Sequence, residues 1–216
     1  MSTYAAPIEV FRAAMPLVGA NPPQSMTDQT AEAVMANAVY EGLVADALTR
    51  HAWSFATKSK ALTYQGTSGD SPAYVYSLPS DVLTPRRLLY AGSPWKDYEM
   101  RGNKLLADVK DESSNFRLVY NWRAPESAWP SDFSWAVVRL LAAQIARGLL
   151  DRANHGDNLE AQAEARLRVA RVRDRRSYQG PERDVDAPLV RAWRGSSRTN
   201  TGTGSTTIQS IPAAGS

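Results

Sequence analysis

The run "TRHAWSFATKSKALTYQ", Thr49 to Gln65, changes texture halfway along. Ahead of it the chain reads as helix; beyond it come short runs rich in Tyr, Val and Leu. Trp53 and Phe55 sit at the change, one serine apart. The chain holds only four Phe and six Trp, so two large rings at one junction mark a place where packing is concentrated. Burying each contributes about 2 kcal/mol or more from apolar area alone. The pair is expected to act as a structural hinge, packing the end of one helix against another and against the base of the strand region.

Upstream, "APIEVFRAAMPLVGANPPQS" reads as a short helix from about Pro7, because proline suits a first helical turn. Pro16 and Gly19 limit it, and Asn21-Pro22-Pro23 ends it. A second helix of about twenty residues follows, capped by Thr27 or Asp28. Its apolar stripe is Ala36, Tyr40, Leu43 and Ala47, at spacings of three and four.

Downstream, "KSKALTYQ", "AYVYSLP", "RRLLYAG", "KDYEMRGNKLLADV" and "NFRLVYNW" are short β-type runs separated by turn-forming residues. That spacing predicts an antiparallel meander. "MRGNKLL" predicts a tight hairpin, since Gly-Asn tolerates positive φ. Leu78-Pro79 and Thr84-Pro85 predict an interrupted edge there rather than a central strand. "ADVKDESS" brings Asp108, Asp111 and Glu112 together without the glycine and ligand spacing of a calcium loop, and reads as a solvated turn.

A proline-bounded entry, capped by Ser131 or Asp132, leads to a third helix from Phe133 to Leu150. It is apolar almost all round, with Arg139, Gln144, Arg147 and Asp151 on one narrow side; such a helix belongs at the centre of a bundle. "DRANHGDN" predicts a break, with Gly156 near a cap. The fourth helix, about Leu159 to Tyr178, carries two apolar stripes. One is Leu159, Ala163, Leu167 and Ala170. The other, on roughly the opposite side, is Ala161, Ala165, Val169 and Val172. Arg168, Arg171 and Arg175 fill one gap between them, Arg166 and Arg173 the other. A helix that only covers its own core needs one stripe; the second, with its arginines, predicts a surface for another subunit.

From Gly180 the periodicity disappears. "PERDVDAPLVRAWRGSSRTNTGTGSTTIQSIPAAGS" is polar, with apolar anchors at Leu189, Val190 and Trp193 and at Ile208 and Ile211. It predicts a flexible docking tail that orders on a partner. The fold expectation is therefore α+β. Helices in residues 1–55 and 125–179 form one bundle, an antiparallel sheet is inserted at 56–124, and a tail occupies 180–216.

Composition sets limits on function. No cysteine is present, which excludes disulfides, thiolate metal sites and cysteine nucleophiles. No run of eighteen apolar residues spans a membrane, and "MSTYAAPIEV" has no basic region of a secretory signal. The formal net charge is +3, but it is unevenly spread: Glu160 to Arg176 holds six Arg against three acids. Phosphate-binding and nucleophile-elbow motifs are missing, and the two His are not at metal-ligand spacing. His51 reads as a helix-end packing residue and His155 as a solvated loop residue. No catalytic residue, cofactor or metal is predicted. Arginine density leaves open non-specific contact with a phosphate backbone, although no aromatics are interleaved to stack on bases. A cell-wall or polysaccharide hydrolase needs two carboxylates in a cleft, and no such pair is evident.

The order of parts resembles a known family. "HAWSF", "YSLPSDVL", "YEMRGNKLL" and "LVYNWRAPESAWPSDFSWAVVRLLAAQIA" follow one another as in the tail tubular protein A, or head-to-tail adaptor, family of tailed bacteriophages. The resemblance runs from about residue 5 to 180; the arginine-dense last helix and the long tail depart from it. It implies a non-enzymatic ring protein in the virion neck, made in the bacterial host cytoplasm. Such adaptors sit below the portal, commonly as twelve copies, and join it to a nozzle or tail tube while DNA passes through the lumen. Its partners would be copies of itself, the portal, the nozzle or tail-tube protein and, transiently, genomic DNA.

Overall fold

The computed structural model describes residues 4–69, 72, 74–149 and 153–177. It is an α+β structure: among the described residues there are four α-helices and two four-stranded antiparallel sheets. The helices are α1 (Pro7–Ala14), α2 (Ala31–Thr49), α3 (Ser131–Leu149) and α4 (Ala153–Ser177). Pro7 occupies the first turn of α1. The cap of α2 is Thr30, whose Oγ1 accepts from the Ala33 N–H at 3.3 Å. Neither Thr27 nor Asp28 does this, because Asp28 instead accepts from the Gln24 N–H at 2.6 Å and closes the preceding turn.

α3 is buried on nearly every side, from Phe133 through Ala146. Val10 and Phe11 of α1, Ala36, Tyr40, Val44 and Leu48 of α2, and Leu159, Ala163, Leu167 and Ala170 of α4 share one apolar core with it. Segments from both ends of the described chain thus meet on α3.

α4 begins at Ala153, a full turn and a half earlier than the sequence predicts. Gly156 is not a terminator but a buried helical residue. A β-carbon there would lie 3.0 Å from the Ala143 carbonyl and 2.7 Å from Arg147 Cγ. Glycine is present because α3 and α4 approach closely at that point. His155 is correspondingly helical, with Nε2 2.9 Å from the Leu17 carbonyl.

The strands are β1 (Thr57–Ala61), β2 (Thr63–Thr67), β3 (Tyr74–Ser77), β4 (Thr84–Tyr90), β5 (Ser93–Trp95), β6 (Tyr98–Arg101), β7 (Lys104–Ala107) and β8 (Phe116–Asn121). They do not form a meander. One sheet has the order β1-β8-β4-β5 and the other β2-β3-β7-β6. β1 leaves the end of α2 and β8 leads towards α3. Their antiparallel pairing, Thr57 opposite Asn121, brings entry and exit of the β region side by side. Leu62, Tyr76, Leu88, Leu105, Phe116, Leu118 and Tyr120 from both sheets form a second core, and Trp122 packs against both cores.

The prolines do not make an edge of this region. β3 and β4 are inner strands. Pro79 lies past the end of β3, and Pro85 lies where β4 pairs with β8 but before its pairing with β5 begins at Leu88. Its missing N–H therefore disrupts no second ladder. The hairpin is as expected: Arg101 pairs with Lys104 across a two-residue turn, and Gly102 at its first position has φ +58°, the arrangement of a type II′ turn. Asp111 is not solvated. It is 4% exposed, and its carboxylate accepts from the N–H groups of Ser113 at 3.0 Å and Phe116 at 2.7 Å. It organises the turn into β8, while Tyr76 Oη accepts from the Asp111 N–H at 2.9 Å. Burial pushes the Tyr76 phenol up to about 12.

Candidate docking surface and its support

α4 turns one stripe inward and the other outward. Leu159, Ala163, Leu167 and Ala170 are buried. On the opposite side Ala161 and Ala165 are exposed, and Val169 and Val172 are 42% and 50% exposed. The arginines beside that ridge divide into two groups. Arg173 is ion-paired with Asp132 in the first turn of α3, and Arg166 Nη1 lies 3.8 Å from the same carboxylate. Both pairs lie within the protomer, and both arginine side chains stay largely exposed. This also gives Asp132 a role that cap reasoning missed. Arg168 is exposed and its Nε is 3.4 Å from the Glu164 carbonyl. Arg175 and Arg176 are exposed. Arg171 is half-buried, with Nε enclosed and lacking a hydrogen-bond partner. The anchors Leu189, Val190, Trp193, Ile208 and Ile211 lie outside the described residues.

Along α2 runs a second open surface. Ala38, Gly42 and Asp46 are exposed, and with Val39, Leu43, Arg50, Leu140, Gln144 and Glu160 they line a groove of about 270 Å³ between α2, α3 and α4. Arg50 ties α2 to α4 across it through ion pairs with Asp46 at 2.5 Å and with Glu164.

Trp53 is fully buried and Phe55 partly so. Both rings meet Phe133 of α3 at 5.1 Å between centroids, and Trp53 Nε1 donates to the Ala47 carbonyl at 3.1 Å. Two residues that sequence reasoning passed over share this junction. Buried Asn121 of β8 donates from Nδ2 to the carbonyls of Leu48 and His51, each at 2.7 Å. Arg86 donates to the carbonyls of Thr49 at 2.9 Å and His51 at 2.8 Å, and to Asn121 Oδ1 at 3.1 Å. The register shift between Pro85 and Arg87 makes Arg86 the extra residue of a bulge, which re-aims its side chain. A cation and an amide thereby satisfy the carbonyl end of α2.

Beside that junction, Asp174 of α4 accepts from Ser54 Oγ at 2.5 Å and the Ser54 N–H at 3.1 Å, and lies 3.4 Å from His51 Nε2. Serine and histidine both address the carboxylate, not each other. That geometry ties α4 to the turn after α2 and lacks the nucleophile–base contact of a hydrolytic triad. Burial lowers the His51 pKa, opposed by Asp174 and assisted by Arg175 and Arg171.

A second polar network supports the entry to α3. Buried Glu126 accepts from Tyr40 Oη at 2.8 Å and from Arg123 Nη2 at 2.5 Å, and Arg123 also reaches Glu41 at 2.9 Å. Burial works against the Arg123 charge, but the two carboxylates outweigh it and raise its pKa. Among the described residues no three His, Asp or Glu are grouped to hold a metal ion, and no helix is long and apolar enough to cross a membrane. Comparison with family models and with curated proteins gives no match.

Proposed function

We propose that this protein is a structural adaptor of a tailed-phage neck: copies form a ring below the portal, connect it to the nozzle or tail, and let DNA pass through the lumen. The carrying observation is the outward ridge of α4. Val169 and Val172 are exposed on a helix whose other side already fills a core. An apolar ridge bordered by arginines fits a protein partner better than water. In this reading the four helices are one bundle that forms the ring wall, the sheets are its insert, and residues beyond Gly180 are the arm that docks on the portal. The order of motifs from residue 5 to 180 supports the same reading.

Imaging the protein mixed with its portal tests this. A symmetrical ring seated under the portal is the expected result; no density there, with the protein folded, refutes it. The variant Arg168→Glu with Val172→Asp should fold normally and fail to dock. Arg171 is a poor choice for such a test, because its half-buried side chain couples docking to folding.

A second reading, a non-specific DNA-binding protein of packaging or replication, is favoured by a different groove. Arg87, Lys96, Trp95 and Tyr98 line it together between the two sheets, which places aromatic side chains and cations in one groove. A gel shift that weakens steeply with salt supports that reading; no shift at low salt removes it.

A further inference from the structure

Every acid of α4 is engaged by another element. Asp157 and Glu160 pair with Arg147 of α3, Glu164 pairs with Arg50, and Asp174 holds Ser54 and His51. Among the described residues, no acid forms an ion pair with Arg168, Arg171, Arg175 or Arg176. Arg168 Nε reaches the Glu164 carbonyl at 3.4 Å, and the buried Nε of Arg171 has no hydrogen-bond partner. Arg168, Arg171 and Arg175 recur at spacings of three and four. They form one row along the helix, over about 10 Å. Beside that row stand Val169 and Val172, 42% and 50% exposed. Unpaired guanidinium groups bordered by exposed valines fit an occupant with both acids and apolar side chains. Phosphate alone does not, since it offers nothing to cover the valines.

The sequence contains one stretch of that kind. α4 ends at Ser177, and the chain runs on to Ser216. Glu182, Asp184 and Asp186 alternate with Arg183 and Val185, and Leu189-Val190 follows. Nowhere else in the chain do three acids alternate in this way. In an extended segment alternate side chains share one side, so the three carboxylates make one row over about 13 Å, with Arg183 on the other side. Pro181 and Pro188 bound the stretch and oppose helix there. These residues lie outside those described; the match is between their sequence pattern and the α4 surface, two rows of opposite charge and nearly equal length.

We propose that the α4 row and ridge are covered by residues 182–190 of a second copy of this chain. The carboxylates of Glu182, Asp184 and Asp186 pair with the guanidinium groups of Arg168, Arg171 and Arg175, and Leu189 and Val190 lie on the ridge. This rests on the ring reading above and names the link between neighbours. Each copy gives one arm and takes one, so the contact is head-to-tail and passes from copy to copy. An extended chain covers about 17 Å from Ser177 to Glu182, more than the roughly 8–10 Å between the axes of packed helices, so the arm reaches a neighbour. Trp193, Ile208 and Ile211, further along, remain for the portal. Association through these charges weakens with salt.

The absence of native cysteine makes cross-linking clean. One chain carries Asp184→Cys and another Val172→Cys. Each is oxidised alone and in mixture, as concentrated protein and on rings assembled on the portal. A covalent dimer in the mixture, with little from either chain alone, is the expected result. No mixed product under either condition overturns the proposal, and so does a main product of one variant with itself. A chain carrying both cysteines should give a ladder of linked copies; closure within single chains overturns the exchange between copies. Charge is tested separately. Arg168→Glu with Arg175→Glu, both at exposed positions, should fold as the parent does and weaken self-association by about tenfold or more. Adding Glu182→Arg and Asp186→Arg to that chain should restore association to within about threefold of the parent. Absence of rescue overturns the proposal. Loss of DNA binding with self-association unchanged assigns the arginines to phosphate and overturns it as well. Rings under the portal with no mixed cross-link refute this contact and keep the adaptor reading. A mixed cross-link from a chain missing from necks refutes the adaptor reading and keeps the contact.

Discussion

At the scale of single residues, the junction between helices and sheet is decided by polar atoms as much as by rings. Trp53 and Phe55 supply apolar area against Phe133, but area does not fix an angle. Asn121 and Arg86 do that, by donating from the sheet to the last carbonyls of α2. Trp53→Ala should destabilise by about 3–5 kcal/mol as a core truncation. Asn121→Ala removes far fewer atoms, yet should still cost about 2 kcal/mol, because the buried Leu48 carbonyl loses its side-chain donor while the His51 carbonyl keeps only Arg86. Urea unfolding followed by circular dichroism measures both, and an Asn121→Ala loss near zero would show that water replaces the amide. His51 adds a pH signature. Its folded pKa lies below the ordinary 6.5, chiefly through burial. As pH falls the unfolded chain is protonated first, so stability is full above that value and declines as pH drops through it, levelling off below the folded pKa. His51→Gln should flatten that part of a stability–pH curve, and a slope that survives the substitution would assign it to another group.

At the scale of elements, legibility in the sequence follows the range of the forces involved. α3 is legible because a helix apolar on nearly all sides has only one place to go. The type II′ hairpin is legible because Gly102 answers a local backbone demand. The strand order is not. Which strand lies beside β1 depends on β8, nearly sixty residues away, and short β runs carry no label of their neighbour. The Arg86 bulge is equally silent, since its cause is the end of α2 and not the run "TPRRLLY". In the sequence Gly156 reads as punctuation, because glycine ends helices more often than it admits another helix. That distinction is testable. Gly156→Ala pushes against the Ala143 carbonyl and should destabilise by about 1–3 kcal/mol despite better helix propensity. Gly148→Ala meets only the flexible end of Met35 and should lie within about 0.5 kcal/mol of the parent. Equal effects at the two positions, measured by thermal unfolding, would mean that α3 and α4 are free to move apart.

At the scale of the whole molecule, the question is how much chain the folded body needs. Met1–Tyr178 form one compact unit, and among the described residues the last side chain buried in its helical core is Ala170. Asp174 adds the polar tie to Ser54 and His51, and α4 ends at Ser177. A chain ending at Gly180 therefore keeps every described contact of both cores. Its denaturant slope should match that of the full chain, because that slope scales with the surface exposed on unfolding, and its midpoint should move little. Docking on the portal should nevertheless be lost or strongly weakened, since Leu189, Val190, Trp193, Ile208 and Ile211 are removed with the arm. The two readouts separate the roles. A truncated chain that unfolds early, or with a smaller slope, would place part of residues 181–216 in the folded body. One that folds and still binds the portal as tightly as the parent would confine docking to the helices, leaving the α4 ridge to account for all of it.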